Sequence, residues 1–94
     1  MLQPSTSVTN TKVTVNNTST TILAANNGRL GATFVNTSNE EITLSLSGTA
    51  VSKEGIPLAA SGGAYVMDAD GIYTGVITAI CASGGKVLSV TELL

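Results

Sequence analysis

Along the chain, short apolar runs alternate with polar residues at a period of two, and clusters of Asn, Ser, Gly and Asp interrupt them. The clearest run is 41–47, where Ile42, Leu44 and Leu46 fall on one face and Thr43, Ser45 and Ser47 on the other. Successive strand side chains point to opposite faces, so this pattern predicts a strand packed on one side and wet on the other. Residues 8–15 alternate more weakly, with Val13 and Val15 together. In 20–24, Thr20, Ile22 and Ala24 oppose Thr21 and Leu23; in 30–35, Leu30, Ala32 and Phe34 share a face. Asn16-Asn17, Asn26-Asn27-Gly28 and 36–39 read as turns between these strands, since Asn and Gly tolerate positive φ.

The second half is less regular. Residues 48–60 read as a loop with a short strand at 56–58, which Pro57 confines to a sheet edge or to irregular structure. Ser61-Gly62-Gly63 turns the chain, 64–67 is a short strand, and 68–71 turns it again. Residues 75–82 are almost continuously apolar, which predicts a central strand buried on both faces. A helix is the rival for so short a run, but the flanking glycines and β-branched residues favour a strand. Ser83-Gly84-Gly85 joins it to 86–91, where Leu88 and Val90 oppose Val87 and Ser89, and the pair reads as a C-terminal hairpin. With no helical period anywhere, the fold class is all-β: an antiparallel β-sandwich or small barrel, jelly-roll or Ig-like, of six to eight strands. Residues 8–94 make one domain, and 1–7 an extended N-terminal arm. The arm is either a frayed terminus or a docking segment. In the second reading Leu2, Gln3, Pro4, Ser5 and Thr6 add a strand to a partner's sheet edge.

Composition narrows the function classes. A chain of 94 residues buries only about 60–65% of the surface its unfolded form exposes, so its core is thin. Cys81 is the only cysteine, which excludes an internal disulfide, and the chain has no histidine to anchor a structural metal. Oligomerisation or docking on a larger partner remains as the source of extra stability. Charged residues make up 11% of the chain, against about 25% in ordinary soluble domains. The exposed strand faces must then be covered by Thr, Ser and Asn, a surface suited to lying against other protein. Net charge is −2, and Lys12, Arg29, Lys53 and Lys86 are scattered singly. That argues against nucleic acid, which needs clustered cations and interleaved aromatics. There is no apolar run of membrane-spanning length. The start has no basic segment leading into an apolar one, so no signal peptide is expected and synthesis is placed in the cytoplasm.

No catalytic set emerges. Cys81 lies within an apolar run and has no histidine to act as its base, so it reads as a packing residue. A serine paired with Lys53 or Lys86 is conceivable, but no spacing singles one out. Asp68 and Asp70 before Gly71 hint at a cation loop, yet an EF-hand needs ligands through position twelve ending in Glu; a solvated turn is the simpler reading. Gly62-Gly63 and Gly84-Gly85 lack the residues of a phosphate loop. Asn16, Asn17 and Asn36 each begin an Asn-X-Ser/Thr triplet, read as a consequence of composition. No enzymatic activity, cofactor or metal is expected.

Several segments resemble motifs of small all-β tailed-phage virion proteins. Thr21-Ile22-Leu23-Ala24-Ala25-Asn26-Asn27-Gly28-Arg29 is similar to a "LAAN-x-x-R" strand and turn, followed by a strand ending at Asn36-Thr37. Gly55-Ile56-Pro57-Leu58-Ala59-Ala60-Ser61-Gly62-Gly63 looks like "G-x-x-L-A-A-G-G" with Ser61 as an extra residue. Tyr73-Thr74-Gly75-Val76-Ile77-Thr78-Ala79-Ile80 resembles "Y-T-G-x-I-x-A-I", and Val90-Thr91-Glu92 resembles a closing "V-x-E". The resemblance implies a β-sandwich virion component, a head decoration or cement protein, a head-fibre base or a minor structural piece, of which the first is the leading expectation. A decoration or cement protein binds and stabilises the outer surface of a phage head, with the major capsid protein or another virion protein as partner and a homo-oligomer, preferably a trimer, as its state. It places the protein on the virion after synthesis in the host cytoplasm. The alternative is a carbohydrate- or host-surface-binding module of a fibre or tail. Such sites usually need exposed aromatic platforms, and Phe34, Tyr65 and Tyr73 are the only aromatics.

Overall fold

Eight strands form where the period-two segments lie: β1 (Val8–Val15), β2 (Thr20–Leu23), β3 (Gly31–Asn36), β4 (Ile42–Ser45), β5 (Ile56–Leu58), β6 (Gly63–Met67), β7 (Ile77–Cys81) and β8 (Lys86–Leu93). The structure is a computed structural model that describes residues 7–68 and 71–94. The strands build two four-stranded sheets, ordered β1-β8-β3-β6 and β2-β7-β4-β5, and every pairing is antiparallel. The chain crosses between sheets at each connection except β4 to β5. This is an all-β sandwich with the strand order of a jelly roll, two interleaved Greek keys.

The alternation dictates which faces meet. Val15, Ala32, Phe34, Leu88 and Val90 from the first sheet and Ile42, Leu44, Leu58, Ile77 and Ala79 from the second are essentially fully buried in one cluster. Each large aliphatic side chain buried this way contributes about 1.5–3 kcal/mol. Cys81 is part of that core. Its thiol donates to the Val15 carbonyl at 3.3 Å, which ties β7 to the end of β1.

Two expectations hold in detail. β5, with Pro57 at its middle, is an edge strand, where a missing N–H costs no ladder bond. β7 is central, flanked by β2 and β4, and Thr78 on its outer face is 1% exposed. The Thr78 hydroxyl donates to the Ser47 carbonyl, because the loop after β4 folds back over this sheet.

The predicted C-terminal hairpin does not form. β7 and β8 lie in different sheets, and Gly84 and Gly85, with φ of 74° and 67°, turn the chain from one sheet to the other. Both strands carry an apolar face, and those faces meet across the core rather than edge to edge; periodicity reports a strand's face, not its neighbour. The strand predicted over 41–47 ends at Ser45. Thr43, assigned to the wet face, is 4% exposed, because the returning loop covers it and the Lys53 N–H donates to its hydroxyl at 3.3 Å.

Candidate functional site

The most elaborate polar arrangement centres on Arg29, which the sequence reading treated as one scattered cation. Its side chain is wholly buried. Nε donates to Glu92 Oε2 at 2.8 Å, Nη1 to the carbonyls of Tyr73 and Gly75 at 2.7 and 3.1 Å, and Nη2 to the Ala24 carbonyl at 2.7 Å. The local sequence aims it there. The Asn26 side chain accepts from the Gly28 N–H, the Arg29 N–H donates back to the Asn26 carbonyl, and the Asn26 N–H donates to Thr74. An Asx turn of this kind sets the exit direction of the chain. The Tyr73 ring folds over Gly75, where a Cβ would collide with it. Arg29 therefore pins the end of β2, the loop before β7 and the last turn of the β8 ladder. Four of the five guanidinium N–H groups are thus taken up by protein oxygens inside the fold, which marks Arg29 as a structural clamp.

A second polar knot closes the other end of β3. Asn36 is fully buried. Its Nδ2 donates to the carbonyls of Glu40 and Leu58 at 2.7 and 2.9 Å, and its Oδ1 accepts from the N–H and hydroxyl of Ser38 at 2.9 and 2.7 Å. Burial excludes it as a glycan acceptor. Nearby, the Glu40 carboxylate accepts from the Ser83 N–H at 2.8 Å and hydroxyl at 2.7 Å. Those bonds, the hydroxyl first, hold the Glu40 carboxyl below its usual 4.5. The turn after β5 completes this end. Ser61 adopts a left-handed φ of 59°, its N–H donates to Ser38, and Gly62 donates to the Asn36 carbonyl. Gly63 is backed so closely by Ala59 that no Cβ fits there.

The other singled-out residues stay apart. Leu2, Gln3, Pro4, Ser5 and Thr6 lie outside the described residues, as does Asp70. Ser7, the last residue of the expected arm, exchanges backbone hydrogen bonds with Leu94 and so prolongs the β1–β8 ladder. Asp68 accepts the Gly71 N–H in the expected turn. Cys81 is buried, Lys53 bonds Glu41, and Lys86 bonds Asn39. Among the described residues, no group of three or more His, Cys, Asp or Glu comes together to hold a metal. An open hollow of about 250 Å³, lined by Glu41, Thr43, Lys53, Gly55 and Pro57, lies over the β4–β5 edge. The exposed Lys53–Glu41 ion pair lies beside it.

What remains is a surface. The outer face of the β1-β8-β3-β6 sheet is crossed by rows that the register defines: Lys12, Ser89, Val35 and Ala64 in one, Asn10, Thr91, Thr33 and Val66 in the next. Within the strands Lys12 is the only charge on it. Val66 at 61% and Val8 at 53% are strongly exposed, and Val87 is exposed toward the other end of the face, opposite Thr14. The Thr91 hydroxyl donates to Asn10 along its row.

No protein-family model matches the chain, and no curated protein or solved structure matches it.

Proposed function

We propose that this chain is a structural virion protein, a decoration or cement module that binds and stabilises the outer surface of a tailed-phage head. The observation that carries this reading is the outer face of the β1-β8-β3-β6 sheet: four strands wide, built of Thr, Val, Ser and Ala, and bearing one charge. Desolvating such a face costs little, because few charged groups must lose water, and its valines gain from burial. Three of the motifs behind the phage resemblance supply Arg29 or its partners, so those residues serve the scaffold. Jelly rolls also occur in both capsid and lectin domains, so the fold agrees with the role without fixing it.

The sugar-binding alternative has less behind it. Tyr65 and Tyr73 both pack against the core, and Tyr65 stacks on Phe34 with ring centroids 6.4 Å apart. Neither is a free platform for a sugar ring. Pelleting with purified heads tests the proposal. Wild-type protein sediments with them to saturation, and Val66→Asp, which puts a charge on the face without entering the core, sediments at least tenfold less. Protein that stays in the supernatant at saturating concentration removes the proposal, and specific capture on a glycan array replaces it with the alternative.

A further inference from the structure

We propose that the free edge of β1 is a self-pairing interface, through which two copies join antiparallel about a two-fold axis and fuse their β1-β8-β3-β6 sheets into one. β1 ends its sheet, with β8 on one side and no strand on the other among the described residues. It has eight residues, whereas the other terminal strands β6, β2 and β5 have 5, 4 and 3. It contains neither Pro nor Gly, and its first five residues are exposed. A long, nearly uncharged edge is a template for another strand. Among the strands at the sheet ends, only β1 of a second copy matches it in length.

The register follows from the hydrogen bonding. Ser7 and Leu94 exchange both backbone bonds. Residues alternate in direction along a strand, so the odd-numbered residues of β1 turn to β8, and Val8, Asn10, Lys12 and Thr14 turn their N–H and C=O groups to the open edge. A two-fold axis normal to the sheet and centred on Thr11 sets Asn10 opposite Lys12 of the second copy and Val8 opposite Thr14. Each outward residue then exchanges both bonds with the one opposite. The Asn10 side-chain oxygen, which accepts from Thr91 at 2.8 Å, has a second lone pair for the arriving Lys12 ammonium. Centring on Lys12 instead would set two ammonium groups face to face, which is disfavoured. Centring on Asn10 leaves Thr14 with no described residue opposite it. The one charge on the strand thus selects the register.

This pairing rests on the assembly reading but replaces the trimer expected from the resemblance with a two-fold dimer, and it is tested on shell-free protein, so its failure and the failure of head binding are separate results. The two Thr11 residues would form a non-hydrogen-bonded pair with Cα atoms about 4.5 Å apart, within disulfide reach. Analytical ultracentrifugation of the full chain should give twice its 9.4 kDa mass. Under mild oxidation Thr11→Cys should cross-link at least tenfold more than Lys12→Cys, while buried Cys81 stays out of the reaction. Lys12→Pro, which removes an outward N–H, should run as a monomer with an unchanged β-sheet circular dichroism spectrum. A wild-type mass of one or three chains, or equal cross-linking of the two cysteine variants, overturns the proposal.

Discussion

Arg29 and Glu92 stand 63 positions apart in the chain and 2.8 Å apart in the fold. The pair joins the entry to β3 with the end of β8, two neighbouring strands of the same sheet. Its surroundings make it structural. The guanidinium is enclosed, Glu92 retains a little solvent, and three backbone carbonyls take the remaining contacts. Removing one partner of a buried pair is far more costly than the pair is stabilising, because the other group stays buried and unpaired.

Replacing Arg29 by Lys keeps the charge but loses the planar fork that reaches Glu92 and three carbonyls together. Arg29→Lys and Arg29→Ala should both lower unfolding free energy by about 3 kcal/mol or more. Glu92→Gln preserves an acceptor and should cost about 1–2 kcal/mol. Urea denaturation followed by circular dichroism measures all three, and a loss below half a kcal/mol for Arg29→Ala would contradict the clamp.

Asn36 is equally specific in chemistry. Its amide nitrogen faces two carbonyls, so Asn36→Asp places an acceptor where donors are required and adds a buried charge. A loss of about 2–4 kcal/mol is expected, seen as a clear drop in thermal midpoint. Asn36→Asp melting like the wild type would show that this end of the sandwich does not depend on the amide.

How much of this was legible in the sequence depends on what each signal reports. Alternation located the strands, Pro57 marked an edge, and the apolar run around Ile77 marked a central strand, because each reports local burial. The two faces of β8 were also legible, since Val87 and Ser89 oppose Leu88 and Val90. Strand neighbours were not. The turn at Ser83-Gly84-Gly85 suits a hairpin or a sheet-to-sheet crossing equally, and only the core decides. Arg29 was missed because its partners come from positions 24, 73, 75 and 92, which no local window unites. A signal did exist: three of the motif fragments supply those partners, Ala24 from the first, Tyr73 and Gly75 from the third and Glu92 from the last.

Acid should loosen the end of the sandwich where Glu40 meets Ser83. The folded carboxyl titrates below 4.5, its ordinary value, chiefly because of the Ser83 hydroxyl and then its N–H. A depressed folded pKa gives stabilisation that is complete above the unfolded value and is lost as pH falls through the folded one. Stability should therefore fall more steeply below pH 4.5 in wild type than in Ser83→Ala, where the hydroxyl donor is gone. Thermal melts from pH 6 down to pH 3 compare the two (about one unit either side of the carboxyl range). Parallel acid limbs would contradict this linkage.

Two glycines should respond oppositely to alanine. A Cβ at Gly63 would strike the Ala59 backbone, whereas one at Gly48 would meet nothing. Gly63→Ala should cost about 1–3 kcal/mol or more through forced backbone movement. Gly48→Ala should be neutral or stabilise by up to about 1 kcal/mol by stiffening the unfolded chain. Differential scanning calorimetry of the two variants reads both, and equal midpoints would contradict the packing of Gly63.

The proposed role in virion assembly is tested most directly by cryo-electron microscopy of tailed-phage heads saturated with the protein. The result predicted is ordered extra density on the outer surface, with the face carrying Val66, Thr33 and Thr91 turned toward the shell. Reconstructions identical to those of bare heads, or density with that face turned to solvent, would contradict it.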